Sequence, residues 1–359
     1  MHVSPIQFIR KSTLANVPLT LIPTTIMVYL KTTETCQLDC EHCFTNGKNG
    51  KKIYFNPDTT IAFFHKLKET IPKLNGGMIT FHGGEPFLAP VQDMRKVWNE
   101  CKDLWTNVAW STTTNLVYTL TDEIRSFMKE ALPRGISTSW DRGIRFANDK
   151  QEQLWRRNLK TLVDDGHNVT LQVSLNRDLI HSSIDNLLYF LDSLEVNYVH
   201  FERITLDGNA IQNQTIVPTN EEIDGWFVKL WEATNRIKPR YKDILLDGLI
   251  RSIDEGSHTG VRCRDCEQKI FTLNADGSIS GCPNSAVGND FAHINQSIEQ
   301  ILTSPGRINN ITCEVSRNPL CYQCDVFDVC NSDCHQLSWQ GDICAAPKTL
   351  MQQLKQSRS

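Results

Sequence analysis

Three cysteines, Cys36, Cys40 and Cys43, stand close together near the start of the chain. Four thiolates close a metal site, whereas three protein ligands leave one position open. Thiolates are also the usual ligands of iron–sulfur clusters. A cluster on three cysteines has one iron free for a substrate or cofactor. The competing use is a zinc site with a distant fourth ligand, which His42 or His82 could supply. Nine more cysteines lie beyond residue 260: Cys263, Cys266, Cys282, Cys313, Cys321, Cys324, Cys330, Cys334 and Cys344. Clusters with such short spacings read as ligands rather than as scattered buried thiols. Cys101 is different. It falls in the series Val91, Met94, Trp98, Cys101, Trp105, one face of a helix, and reads as a small hydrophobe. Cys313 has no close partner and stays unassigned.

These thirteen cysteines sit in a chain of 359 residues. Lys and Arg total 37 against 41 Asp and Glu, a formal net charge of −4. That balance gives no electrostatic footprint for nucleic acid. Pro18 and Pro23 interrupt the apolar stretch from Leu14 to Leu30, so no transmembrane helix is expected. No secretory signal is recognised either. The expected location is cytoplasmic, where disulfides are rare and clustered cysteines serve metals or catalysis.

Elements must position these groups. Short apolar or β-branched runs alternate with amphipathic stretches from residue 26 to about 240. The strands expected are Ile26–Lys31, Met78–His82, Asn107–Thr112, Gly135–Ser139, Asn168–Leu175 and Asn197–Arg203. Helices are expected from near Thr59, Val91, Asp122, Gln151, Ser182 and Asn220, the last with a capping box of Thr219 and Glu222. Six strand–helix units imply an α/β fold with a parallel sheet, either an incomplete barrel or a doubly wound sheet. In both, chemistry belongs at the C-terminal strand ends. Cys36–Cys43 follow the first strand, His82-Gly83-Gly84-Glu85-Pro86 the second, and Thr113-Thr114-Asn115 the third. Ser139-Trp140-Asp141, then Ser174 and Asn176, then Glu202 and Arg203 follow the others. Beyond Gly256 helical periodicity fades. Lys269–Asn274 and Ser278–Cys282 flank Ala275-Asp276-Gly277 as a hairpin. That region reads as a small domain held by metal. The expected division is an extension over 1–25, a partial barrel over 26–240, a junction helix over 241–256, a cysteine-rich domain over 257–350, and a frayed tail over 351–359.

The CxxxCxxC spacing with the aromatic Phe44 after it, and the segment Gly83-Gly84-Glu85-Pro86 after the second strand, resemble the radical S-adenosylmethionine (SAM) superfamily. The resemblance implies a partial (β/α)6 TIM-type barrel. It implies that Cys36, Cys40 and Cys43 hold a 4Fe–4S cluster whose open iron chelates SAM. Reductive cleavage of SAM would then give a 5′-deoxyadenosyl radical that abstracts a substrate hydrogen. The two glycines would let backbone approach the cofactor, Glu85 would accept from the methionyl ammonium, and Pro86 would stiffen the turn. Asn115, Ser139 and Asn176 are candidates for the ribose or the carboxylate, each also readable as a loop or capping residue. Arg145 is a candidate fork for the carboxylate.

The distal cysteines resemble the SPASM domain that follows many radical SAM barrels. With Cys263 as an eighth ligand, the resemblance implies two auxiliary 4Fe–4S clusters. Cys263, Cys266, Cys282 and Cys334 would hold one. Cys321, Cys324, Cys330 and Cys344 would hold the other, with Cys313 able to replace one member. Two structural zincs are the alternative.

SPASM enzymes mostly modify peptides. One reading is a maturase that cross-links side chains of a ribosomally made precursor peptide, of the darobactin or dynobactin type. Another is an anaerobic sulfatase maturase, which forms formylglycine. Such enzymes carry Asp after the cysteine that follows the hairpin, where this chain has Pro283 and Asn284. A third is a non-catalytic iron–sulfur electron-transfer protein. The partners implied are the precursor peptide and a flavodoxin or ferredoxin as electron donor. Only 25 residues precede the first strand, so leader recognition is expected from a separate protein or the barrel surface. Glu85, Asp141, Glu202, Asp207 and Asp276 are the polar groups proposed to face the cavity, with no base chosen among them.

Overall fold

The computed structural model describes Leu14 and residues 17–133, 135–285 and 288–358. Most of the expected extension over 1–25 lies outside them. Six parallel strands run in sequence: β1 Ile26–Thr33, β2 Gly77–Gly83, β3 Val108–Thr113, β4 Ile136–Ser139, β5 Val169–Leu175 and β6 Tyr198–Arg203. Each pairs with the next in parallel register. A doubly wound sheet reverses its strand order part-way. Here the order never reverses, so the partial barrel holds and the doubly wound alternative does not. The helices expected after the strands are present, and Thr219 and Glu222 form the capping box of the helix Asn220–Ile237.

Burial alternates along the strands with period two. Val28, Leu30, Ile79, Phe81, Leu171, Val173, Val199 and Phe201 are buried with the apolar faces of the outer helices. The opposite face carries Tyr29, Lys31, Thr80, His82, Ser111, Ser139, Gln172, Ser174, His200 and Glu202. A packed eight-stranded barrel fills that space with bulky aliphatic side chains. Polar residues line this one.

Four shorter strands extend the sheet to ten among the described residues. β7, Lys242–Asp243, adds beside β6. The expected hairpin forms as β8, Ile270–Leu273, and β9, Ser278–Ser280, with β10, Ala292–His293, at the edge. β8 also pairs in parallel with β1. The cysteine-rich region is thus joined to the barrel by backbone hydrogen bonds.

Two expectations are corrected. Helical structure does not end at Gly256: a helix spans Pro305–Val315, and its fully buried side chains are Arg307 and Glu314 rather than an apolar stripe. The tail is not frayed from residue 351. Lys348–Gln356 is a helix that buries Leu350, Met351 and Leu354. Asp224 accepts from the Thr349 backbone N–H at 2.9 Å and its hydroxyl at 2.6 Å, which fixes the start of that helix.

Candidate functional site

The loop after β1 carries Cys36, Cys40 and Cys43, and four other strand-end loops hold it. The Cys36 N–H donates to the Gly47 carbonyl at 2.8 Å, and the Glu41 N–H to Ile144 after β4 at 3.1 Å. Asn209, after β6, donates its side-chain amide to the Cys40 carbonyl at 2.9 Å and its backbone N–H to the Cys43 carbonyl at 2.9 Å. Asn115, after β3, donates to the Cys36 sulfur at 3.4 Å. The three thiols lie within electrostatic reach of one another. Burial pushes Cys36 up to about 11 and Cys40 up to about 12. Buried thiols that repel each other once ionised become thiolates beside a strongly cationic centre. The donor set therefore fits an iron–sulfur centre with one open position. Among the described residues, no three His, Cys, Asp or Glu side chains are grouped so as to hold a single metal ion.

Behind that loop lies the end of β2. A Cβ on Gly83, at φ +139°, would sit 2.3 Å from the Thr33 carbonyl oxygen. One on Gly84 would sit 2.1 Å from that of Thr35. The glycines therefore admit the cysteine loop itself. Glu85 is fully buried. Its oxygens accept from the Phe87 N–H at 3.1 Å, the Thr114 hydroxyl at 2.8 Å and the Asn115 N–H at 2.7 Å. Burial pushes its carboxyl up to about 7, against the pull of these donors. Glu85 ties the loop after β2 to the loop after β3. It does not present a free carboxylate to an ammonium, as the sequence reading expected. Pro86 opens the short turn Pro86–Leu88, and its carbonyl accepts from Thr32 at 3.0 Å.

A second clamp follows β4. Asp141 accepts from Arg145 Nε at 2.5 Å and the Ser174 N–H at 2.7 Å, and lies 3.3 Å from His42 Nε2. Desolvation opposes its charge, yet Arg145 and His42 hold its carboxyl well below the usual carboxylate range. Arg145 also acts on Cys40 and Cys43.

The barrel lumen opens beside the triad. The His82 ring stacks on Phe44 at 6.2 Å and meets Tyr29 edge-on at 5.5 Å. Burial, with the Lys31 charge beside it, lowers His82 to about 4. Glu202 acts on both His82 and Tyr29, and its carboxylate lies 3.2 Å from His200 Nδ1. Burial raises the Tyr29 hydroxyl, as do Cys282, Glu202 and Cys266. Tyr29, on the lumen face of β1, thus lies within electrostatic reach of Cys282 and Cys266.

Those cysteines fall into two groups. Cys266 and Cys282 each feel Cys334. Cys330 feels Cys344 and Cys324, and Cys344 feels Cys324 and Cys321. Cys263 is placed differently. Its thiol donates to the His258 carbonyl at 3.0 Å, and the charges acting on it include Asp265, Lys269, Arg262 and Glu314. Arg203 at the end of β6 makes a two-pronged pair with Asp333, at 2.9 and 3.1 Å, beside Cys334. That pair binds the barrel to the cysteine-rich region. Cys101 is buried on its helix as expected, and Cys313 is exposed.

No family model matches the sequence, and no curated protein matches it. Solved structures do. The chain is similar to anSMEcpe, an anaerobic sulfatase-maturating enzyme, solved with S-adenosylmethionine and the Cp18Cys peptide. The TM-score is 0.74 at 14% identity, over 93% of this chain and 96% of that one. It is similar to SuiB of Streptococcus suis bound to S-adenosylmethionine, with a TM-score of 0.63 at 11% identity, over 92% and 78%. The likeness is one of fold: the chain shares the fold of both.

Within this fold, several expected contacts have other partners. The Asn115 side chain accepts from Gln37 at 3.0 Å and the Val117 N–H at 2.8 Å while donating to Cys36. Asn176 caps the turn Arg177–Ile180 and donates to the Arg142 carbonyl at 2.8 Å, which is the capping alternative. Ser139 meets Gln172 across the strands at 3.4 Å. Of the polar groups expected in the cavity, Asp207 caps its own turn and Asp276 bonds Ser278 in the hairpin. The sequence reading missed Tyr29, Lys31 and His200. Their only signal was alternation: each is a polar residue at an alternate position of a strand whose other face is apolar, which does not by itself tell lumen from solvent.

Proposed function

We propose that the chain is a radical SAM enzyme that oxidises a side chain of a peptide. The observation that supports it most is the three-cysteine loop fixed at the C-terminal mouth of a partial barrel, facing a polar lumen. Cys36, Cys40 and Cys43 would hold the 4Fe–4S cluster, and the adjacent Gly83–Pro86 turn would lie at the SAM site. That centre supplies reductive cleavage of SAM and so a radical able to take a hydrogen atom. The chain's own residues do the rest. The Asp141–Arg145–His42 clamp and the Glu85 brace fix the loop, Phe44 and His82 wall the lumen, and the outer helices exclude water. Cys266, Cys282 and Cys334, with Cys263 as the proposed fourth ligand, would hold one auxiliary cluster. Cys321, Cys324, Cys330 and Cys344 would hold the other.

The peptide substrate is supported by the Cp18Cys peptide in anSMEcpe. The finer reading is side-chain cross-linking in a ribosomally made precursor, with a flavodoxin or ferredoxin as donor and a separate protein presenting the leader. Formylglycine formation is the second reading, which the likeness to anSMEcpe favours. Pro283 and Asn284 after Cys282 count against it. Anaerobic co-expression with peptides encoded beside the gene, followed by mass spectrometry, tests both. Loss of two hydrogens per bridge with both residues joined supports cross-linking. A Cys or Ser turned into an aldehyde supports the second reading. No mass change with any neighbouring peptide contradicts both.

A further inference from the structure

Oxidation of a side chain by hydrogen-atom removal leaves a carbon radical. To reach a closed-shell product, that radical must bond to a second side-chain atom, or form a double bond to its own heteroatom. Either way one proton and one electron remain to be lost. The peptide gives up one hydrogen as an atom, to the SAM-derived radical. It gives up the other as a proton plus an electron, the electron passing to a one-electron acceptor of the iron–sulfur class. The proton needs an acceptor within reach of the lumen.

Five carboxylates come into question from the sequence, and the structure separates them. Glu85 and Asp141 are buried and each is engaged by three partners. Asp207 accepts from the Gly208 N–H at 2.7 Å in its own turn. Asp276 accepts from the Ser278 N–H and hydroxyl at the tip of the hairpin and faces Lys51. Glu202 lies on the lumen face of β6, opposite the outward Val199 and Phe201. Its side chain is 40% exposed, and its polar neighbour is His200 at 3.2 Å. It acts on Tyr29 and His82, two rings of the lumen that meet edge-on at 5.5 Å.

We propose that the Glu202 carboxylate accepts the substrate proton in the lumen and that His200, whose Nδ1 lies 3.2 Å from it, is its positioning residue. This rests on the radical SAM reading above. Asp243, on β7 behind His200, adds a second carboxylate. Its Oδ1 caps the helix Ile244–Glu255 by accepting from Leu245 and Leu246 at 2.9 and 3.0 Å, and its Oδ2 is buried without a hydrogen-bond partner. Asp243 acts on the His200 ring electrostatically. His200 therefore has the Glu202 carboxylate beside it on the lumen face, which favours the protonated ring and its donation to Glu202. That donation fixes the Glu202 rotamer toward the lumen.

The test uses the reconstituted full chain, SAM, a reductant and the short peptide encoded beside the gene. Modified peptide and 5′-deoxyadenosine are both quantified. In Glu202→Gln, 5′-deoxyadenosine continues to form while modified peptide per 5′-deoxyadenosine falls by roughly a hundredfold, the scale of a lost general base. Glu202→Asp recovers part of that ratio. His200→Ala lowers the ratio, and His200→Gln, whose amide still donates to Glu202, restores part of it. Iron content and circular dichroism check folding. If Glu202→Gln does not fold, the comparison of His200→Ala with His200→Gln decides. An unchanged ratio in Glu202→Gln, or equal ratios in the two His200 variants, overturns the proposal. A wild-type protein that forms no 5′-deoxyadenosine, or forms it without modifying the peptide, overturns the radical SAM peptide reading instead, and the base with it.

Discussion

Gly84→Ala places one methyl group where the end of β2 meets the cysteine loop. Its Cβ would lie 2.1 Å from the Thr35 oxygen, 2.3 Å from the Thr35 carbonyl carbon and 2.8 Å from the Cys36 nitrogen. Ordinary contacts are ~3.5 Å, so the loop must retreat by more than an ångström. That movement breaks the bonds from the Gly84 N–H to Thr33 and from the Glu85 N–H to Thr35, both 3.0 Å. Losing two buried hydrogen bonds costs about 2–6 kcal/mol. Such a cost is a large share of a marginal stability of about 5–15 kcal/mol. The loop therefore yields rather than the sheet, and Cys36 is displaced. The expected result is a folded chain that loses roughly four irons of its complement on anaerobic reconstitution. SAM cleavage falls about a hundredfold, the scale of an ångström's misplacement. Gly225→Ala is the control. It lies exposed in the helix Asn220–Ile237, with nothing within 4 Å of the added Cβ. It should leave iron unchanged and stabilise by about 0.5–1 kcal/mol. Full iron and wild-type SAM cleavage in Gly84→Ala would refute the packing argument.

Other outcomes follow from the same structure. Burial pushes the Asp243 carboxyl up to about 7. The folded chain then keeps that proton while the unfolded chain loses it in the usual carboxylate range, so this group's contribution to stability falls as pH rises from that range to about 7 and is flat above. Asp243→Asn keeps the capping oxygen and has no such loss. Its thermal midpoint should exceed wild type at pH ~8 by up to about 4 kcal/mol equivalent and approach wild type near pH ~4; a lower midpoint at the higher pH contradicts this. Arg203→Ala leaves Asp333 charged and buried, with an expected loss of about 3–5 kcal/mol. Thermal unfolding, with protease sensitivity beyond residue 257 as a second readout, measures it. Cys101→Ala and Cys313→Ser should both keep the wild-type iron content, whereas Cys266→Ser should lose roughly four irons; iron lost from either of the first two would reassign the ligands.

The barrel strands were legible because their outward positions, such as Val28, Leu30, Leu171 and Val173, alternate with polar ones, and because polar clusters fell at every strand end. Thr219 and Glu222 announced their helix by local hydrogen bonding alone. The cysteine spacing carried the candidate triad. What was not legible depends on partners distant in sequence. The Glu85 carboxylate is engaged by Thr114 and Asn115, about thirty residues away. The pairing of β8 with β1 joins segments more than two hundred residues apart. The helix Pro305–Val315 was hidden because its buried face holds charges. The Arg307 guanidinium donates to the Leu302 and Gln268 carbonyls, and the Glu314 carboxylate accepts from the Cys266 and Glu267 N–H groups. Tyr29, Lys31 and His200 were hidden for another reason. Alternation shows which positions share a face, and a polar face reads equally as solvent or as lumen until the sheet curls.

The central claim is that the loop of Cys36, Cys40 and Cys43 makes this chain cleave SAM reductively. The direct measurement is anaerobic incubation of the reconstituted chain with SAM and dithionite, with 5′-deoxyadenosine and methionine quantified against time. The account predicts that both form in equal amounts, and that changing the three cysteines to Ala abolishes them while about eight irons per chain remain. A wild-type chain with its full iron complement that yields no 5′-deoxyadenosine would contradict it.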